Sequence, residues 1–280
     1  MVSVIVTSYK RPAEIVERAV KSILSQTYQD IEILIVDDNP DGSKESQELK
    51  KQFENRERIT YIKQDGNQGA CAARNLGISK AKGGYIGFLD DDDTWFEDKL
   101  ECQLERFAQG DDSVGMVYCL GQVYDCDTNP PTITDYYTTR IFKDEIRFED
   151  QLVYDYCGST SQALVRKEVF EKIGGFNVNL PARQDYEMWL RISKYYKIYG
   201  VNKPLFYYYH HGLEQITKSP KKALTGYQVV YREYKEEYKK NPKAQIEIFS
   251  RMLETAKGHY FFTYWYYRIR KHLVMLLRGK

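Results

Sequence analysis

The 280-residue chain lacks most of what would mark a redox, exported or membrane-spanning protein. Its five cysteines (Cys71, Cys102, Cys119, Cys126 and Cys157) are odd in number and widely spaced, and none forms the CxxC pair of a zinc or redox site. A reducing compartment is the expectation. No apolar run approaches the roughly 20 residues needed to span a bilayer. The first residues enter a strand-like run without the basic segment, apolar stretch and cleavage site of a signal peptide. A cytoplasmic protein is expected, either soluble or peripheral on the inner face of a membrane. The net charge of +1 leaves no overall field for a polyanion, which argues against nucleic acid as a partner. Glycine is missing where a dinucleotide fold requires it: Thr7-Ser8-Tyr9-Lys10-Arg11-Pro12 follows the first apolar run with none. That excludes nicotinamide and flavin oxidoreductases, whose first strand ends in a glycine-rich phosphate turn. The glycine-rich loop and lysine that a sugar nucleotidyltransferase would place near its first strand are absent as well.

What is present is an ordinary globular mixture, 42% hydrophobic and 29% charged. Short apolar runs at Val2–Thr7, Ile31–Val36, Ile59–Ile62 and Tyr85–Leu89 alternate with amphipathic stretches, the rhythm of an α/β sheet. The first helix is expected near Pro12, with Ile15, Val16, Ala19, Val20, Ile23 and Leu24 on one face. Val114–Tyr124 and Leu205–Tyr209 read as strands, Asn129-Pro130-Pro131 as a break and Gln184–Lys194 as a helix. Beyond about Ser219 the pattern turns helical. The expected organisation is a main domain over 1–218, divided near residue 110 into 1–110 and 111–218, followed by a helical extension over 219–280.

In open α/β sheets ligands bind beyond the carboxyl ends of the strands. Here those positions are polar: Thr7, Ser8 and Tyr9; then Asp37, Asp38 and Asn39; then Asp90 through Asp93. Four successive aspartates repel one another and raise each other's pKa unless a cation sits among them. Hard oxygen donors suit Mg²⁺ or Mn²⁺, which commonly complete their coordination with phosphate oxygens and water. A solvated acidic turn favouring the next helix N-terminus is the plain alternative.

With these motifs the chain resembles the inverting family-2 glycosyltransferases of GT-A fold, of the bacterial surface-polysaccharide type. The resemblance covers roughly residues 1–215. It rests on Val2-Ser3-Val4-Ile5-Val6-Thr7-Ser8-Tyr9, Ile33-Leu34-Ile35-Val36-Asp37-Asp38, Asn67-Gln68-Gly69 with Ala73-Arg74-Asn75, the strand leading into Asp90-Asp91-Asp92-Asp93, and Gly174-Gly175-Phe176 upstream of Asp185.

The resemblance implies transfer of a sugar from a nucleotide diphosphate sugar, a UDP-sugar first, to a hydroxyl of a glycan or lipid-linked acceptor. By the same resemblance Thr7, Tyr9 and Asp38 hold the base, Arg74 lies near base and ribose, Asp90 and Asp91 lie along the nucleotide-sugar, and Asp92 is the direct metal ligand. Asp185 is the implied general base, in the place of the aspartate of a Glu-Asp pair. The preceding residue here is Gln184, so whatever a glutamate contributes there is weaker or different. Asp185 as a mere helix cap, with Glu187 and Asp112 as surface acids, is the alternative. Trp189, one turn on, either stacks on an acceptor sugar or fills the core. Of His210 and His211, His211 fits better the spacing of a histidine reaching the metal or diphosphate.

From Thr255 onward the chain holds six lysines and arginines and no acid, interleaved with seven aromatic residues. That composition suits a membrane surface or a homodimer contact. A non-catalytic nucleotide-sugar-binding or scaffold protein of the same fold is the competing functional class.

Overall fold

The computed structural model describes residues 1–136, 141–210 and 219–278. Its centre is one mixed sheet, ten-stranded among the described residues. Strands β1 (Val2–Ser8), β2 (Ile31–Asp37), β3 (Ile59–Lys63) and β4 (Tyr85–Asp90) pair in parallel in the order β3-β2-β1-β4. The sheet continues through β9 (Ala163–Arg166), antiparallel to both neighbours, then β6 (Val114–Asp125), β10 (Lys197–His210) and the short β5 (Thr94–Trp95). Two short strands, β7 (Thr132–Asp135) and β8 (Glu145–Ile146), flank β6 and β10.

Side chains alternate across a strand, so a strand apolar throughout must be covered on both faces. Val4 and Val6 of β1 and Ile33 and Ile35 of β2 point into one core with Val16, Val20 and Ile23 of helix α1 (Ala13–Leu24) and Leu49 and Phe53 of α2 (Lys44–Phe53). Ile5, Leu34 and Val36 point the other way, toward α3 (Ala70–Lys80), α6 (Lys167–Ile173) and α7 (Gln184–Tyr195). Each aliphatic side chain buried this way contributes about 1.5–3 kcal/mol. Pro12 occupies the cap position just before α1, and α4 (Lys99–Ala108) adds Leu100 and Phe107 to the first core.

A third cluster joins α5 (Phe148–Val153) and one side of α7 to the C-terminal helices α8 (Pro220–Glu233), α9 (Lys235–Lys240), α10 (Pro242–Ala256) and α11 (Phe261–Arg278). Tyr186 of α7 and Tyr238 of α9 meet hydroxyl to hydroxyl at 3.1 Å, and Arg251 Nη2 of α10 donates to the Val153 carbonyl at 2.9 Å. The C-terminal helices therefore cover one side of α7, and its other side packs on the sheet.

Candidate active site

The parallel strands end on one rim, and each end contributes a polar group. At the end of β2, Asp37 is fully buried and serves the scaffold: it accepts from the Asn39 N–H at 2.9 Å, from Ser46 Oγ and from Tyr61 Oη at 2.6 Å. Asp38 beside it pins the loop that enters α3, accepting from the backbone N–H of Gln68 at 2.8 Å and of Gly69 at 3.0 Å and from Gln64 Nε2. Burial raises its carboxyl above the ordinary value, and these donors oppose the shift. Its Oδ2 accepts from Gly69, which leaves acceptor capacity for a further N–H. Tyr9 stands exposed at the end of β1, next to Thr7, which is partly buried.

Arg74 of α3 is not a surface arginine. Its Nη2 pairs with Asp90 Oδ1 at 2.8 Å, where Thr160 Oγ1 also donates at 3.1 Å. The helix is held for this by Asn75, whose side-chain amide clasps the backbone of Phe176, Nδ2 donating to O at 2.9 Å and Oδ1 accepting from N at 2.7 Å. A Cβ at Gly175 would sit 2.2 Å from Asn75 Oδ1, so glycine is required where α3 passes this loop. The clasp accounts for the Ala73-Arg74-Asn75 and Gly174-Gly175-Phe176 segments as two halves of one contact.

The four aspartates diverge. Asp90 turns toward Arg74. Asp91 and Asp92 share Arg11: Nε donates to Asp91 Oδ1 at 3.1 Å and Nη2 pairs with Asp92 Oδ2. Arg18 Nη2 donates to the Asp92 carbonyl at 2.6 Å. Asp93 points inward and is fully buried, accepting from Ser161 Oγ at 2.6 Å and from the Tyr209 N–H at 3.3 Å. Burial, then Asp92, push Asp91 up to about 7, with Arg11 opposing; burial and then Asp92 raise Asp93 well above the ordinary range. Asp93, the one of the four to which the resemblance assigns no role, is spent on the scaffold. Asp91 and Asp92 present hard oxygen donors that already hold one cationic group, which fits a divalent metal.

His211 lies outside the described residues. Its neighbour His210 ends β10 and faces Asp125 at 3.4 Å and Asp127 at 3.7 Å. Among the described residues these three form the one group of at least three histidine, cysteine or acidic residues whose ligand atoms all lie within 4.8 Å of one another.

Across the rim, α7 begins at Gln184 and places the partly buried Asp185 in its first turn, its Oδ1 accepting from the Tyr186 N–H at 2.8 Å. Burial raises the Asp185 carboxyl; the Tyr186 N–H, Arg183 and Arg74 pull it down and Asp90 pushes it up. Asp185 thus shares one electrostatic neighbourhood with the Arg74–Asp90 pair. Gln184 Nε2 donates to the Leu180 carbonyl at 2.9 Å and so secures the helix start. Glu187, expected as a possible surface acid, is buried in an ion pair with Arg191 at 2.8 Å. Sequence reasoning missed Asp155, whose carboxyl is raised by burial and then by Asp185, and which accepts from Gln151 Nε2 at 3.0 Å and the Gly158 N–H at 3.2 Å. It also missed Arg11, Thr160 and Ser161. The basic pair Lys10-Arg11 at a strand end was the available signal for Arg11.

Trp189 requires a correction as an acceptor contact. It is fully buried, its Nε1 donates to the Gly158 carbonyl at 2.9 Å, and its ring meets Phe176 edge-on at 6.4 Å. Its second-turn position on α7 directs it into the core. Trp189→Ala should lower stability by about 3–5 kcal/mol in denaturant titration, and Trp189→Phe should leave the acceptor KM unchanged. A raised KM in a stable Trp189→Phe variant would return the residue to the acceptor site.

A family model described as Glycosyl transferase family 2 matches residues 3–174. The chain is 32% identical over 257 residues, 87% of its length and 84% of the relative's, to WcaA of Escherichia coli (strain K12), whose name assigns it provisionally to colanic acid biosynthesis as a glycosyl transferase. It is 29% identical over 214 residues, 75% of its length and 78% of the relative's, to WfaP of Escherichia coli, named a UDP-Glc:α-D-GlcNAc-diphosphoundecaprenol β-1,3-glucosyltransferase. Among solved structures, S. aureus TarS superposes with a TM-score of 0.65 at 14% identity, covering 92% of this chain and 44% of TarS. TarS residues 1–349 in complex with UDP-GlcNAc give 0.63 at 15% identity, covering 93% of this chain and 73% of that one. The architecture is therefore that of the TarS GT-A fold.

Proposed function

Because the chain belongs to glycosyl transferase family 2, we propose that it transfers a sugar from a UDP-sugar to a hydroxyl of a lipid-linked glycan, with inversion, at the rim formed by β1, β2, β4 and α7. The relatives named for polysaccharide work, WcaA and WfaP, support a glycan product. The observation that most supports the site is the Arg74–Asp90 pair joining α3 to the end of β4, with Asp185 of α7 in its electrostatic neighbourhood. In this reading residues 1–110 bind the donor, 111–218 shape the acceptor side and 219–280 form the extension, the whole working at the cytoplasmic face of a membrane.

Thr7, Tyr9 and Asp38 receive the base, Asp38 accepting the ring N–H of uracil. Arg74 and Asp91 lie toward the ribose. Mn²⁺ or Mg²⁺ would be held by Asp92, with Asp91 beside it, and would supply positive charge against the leaving diphosphate. Arg11, already on these carboxylates, orients them, and Arg18, on the Asp92 backbone carbonyl, adds cationic character to the same place. Asp185 takes the proton of the acceptor hydroxyl as it attacks the anomeric carbon from the face opposite the nucleotide. Burial raises its pKa and so makes it a stronger base than a free aspartate, while the Tyr186 N–H opposes the rise and holds the carboxylate at the helix start.

A panel of UDP-sugars offered with an undecaprenyl-diphosphate-linked sugar tests the reading. UDP release dependent on that acceptor is expected for at least one donor; release from none, in protein shown to be folded, would reject it.

A further inference from the structure

Helix α11 is about 27 Å long at 1.5 Å per residue, and it is apolar on two sides. Its inner side is used: Tyr267 is buried against Phe249 of α10 at 5.9 Å and accepts from Gln228 Nε2 at 3.1 Å, with Tyr264 and Val274 packed alongside. The outer side is opposite, at helical spacing, and consists of Phe262, Trp265, Tyr266, Ile269, Leu273 and Leu276. Phe262 is 86% exposed, Ile269 57% and Leu276 61%. A contiguous apolar stripe of this kind on a surface helix marks a partner. No helix among the described residues is long and apolar enough to cross a membrane, so the stripe is not a span.

The flanks of the stripe identify the occupant. Arg268 lies over the Trp265 ring at 4.8 Å and Arg270 over Tyr266 at 5.0 Å, one on each flank, so that each cation rides on the aromatic beside it. No acid occurs from Thr255 to the last residue. A two-fold contact with a second copy through this face would bring these arginines together with no acid on α11 itself to neutralise them. An anionic lipid surface meets both needs, taking the apolar stripe among its acyl chains and the arginines among its headgroups. The placement is consistent with delivery of an acceptor. Helix α10, on which α11 lies, carries Arg251, whose donation to the Val153 carbonyl ties this layer to the segment that ends in Asp155, beside Asp185.

We propose that the outer face of α11 docks the protein flat on an anionic membrane surface. The inference deepens the lipid-linked acceptor reading and rests on it for its purpose, but its test is independent of any acceptor.

The full chain is sedimented with vesicles of phosphatidylcholine alone and of phosphatidylcholine with phosphatidylglycerol, all free of acceptor. Wild type should pellet with the anionic vesicles and less as salt rises. The triple variant Phe262→Ser, Trp265→Ser, Ile269→Ser, and separately Arg268→Gln with Arg270→Gln, should each need at least about tenfold more lipid for half-binding. Both variants should unfold cooperatively on heating close to the wild-type midpoint, which shows that they fold and keeps this result separate from any failure of the proposed activity. Wild type remaining in the supernatant with anionic vesicles, or pelleting unaffected by the triple variant, would overturn the proposal. So would a wild-type dimer in analytical ultracentrifugation that the triple variant converts to monomer, since a second copy would then occupy the face.

Discussion

Asp185→Asn is expected to lower kcat by about 10²–10⁴-fold, the usual contribution of a positioned general base, while UDP affinity stays within a factor of about two. The substitution keeps the size of the side chain and its capacity to accept from the Tyr186 N–H at 2.8 Å, so α7 should start as before. What is lost is the ability to take a proton. The same group sets the acid limb of the pH profile. Its pKa is raised by burial above the ordinary aspartate value of 3.8, and only the ionised form acts as base. At saturating donor and acceptor, kcat should therefore rise with pH along a limb whose midpoint lies above 3.8. Near-normal turnover in Asp185→Asn, or a limb in the ordinary carboxylate range, would remove Asp185 as the base.

Asp92→Ala should cost about 10²–10³-fold in kcat/KM, corresponding to several kcal/mol of charge stabilisation lost at the leaving diphosphate. The residual activity should no longer respond to Mn²⁺. Removing Asp92 also frees Arg11 from one of its two partners, leaving Asp91 as its remaining carboxylate. A loss of only a few fold, with metal dependence intact, would place the ligand elsewhere, and the Asp125, Asp127 and His210 group is where the search would turn.

Much of the sheet was legible because parallel strands covered on both faces are apolar throughout, and β1 to β4 stand out as runs. Each of the four extends one residue beyond its apolar run, to Ser8, Asp37, Lys63 and Asp90, because the backbone ladder continues under a polar side chain. Strand β10 was recognised only over its last part. Asn202-Lys203-Pro204 interrupts the apolar pattern, and the pairing with β6 slips on both sides of Pro204, so one strand reads as two unrelated pieces. The third core was not legible at all, since it depends on which face of α7 the C-terminal helices cover.

At the site, the residues read from strand ends and from the α7 start lie on the rim, because a strand end is a local feature. The groups that tune them are not local. Arg11 meets Asp91 across 80 residues of chain, and Ser161 meets Asp93 across 68. No spacing rule announces such pairs. Trp189 illustrates the opposite difficulty: a tryptophan one turn from the proposed base Asp185 is compatible with stacking or with core until the direction of the helix face is known. The inward turn of Asp93 likewise follows from β10 passing close enough for the Tyr209 N–H to reach it.

The most direct test of the central claim, that this rim is a metal-assisted UDP-sugar site, is calorimetric titration of UDP into the wild-type protein with and without Mn²⁺. The account predicts saturable binding that strengthens at least about tenfold with the metal, since carboxylates and diphosphate would otherwise repel. Absence of UDP binding under both conditions, in protein that unfolds cooperatively on heating, would contradict it.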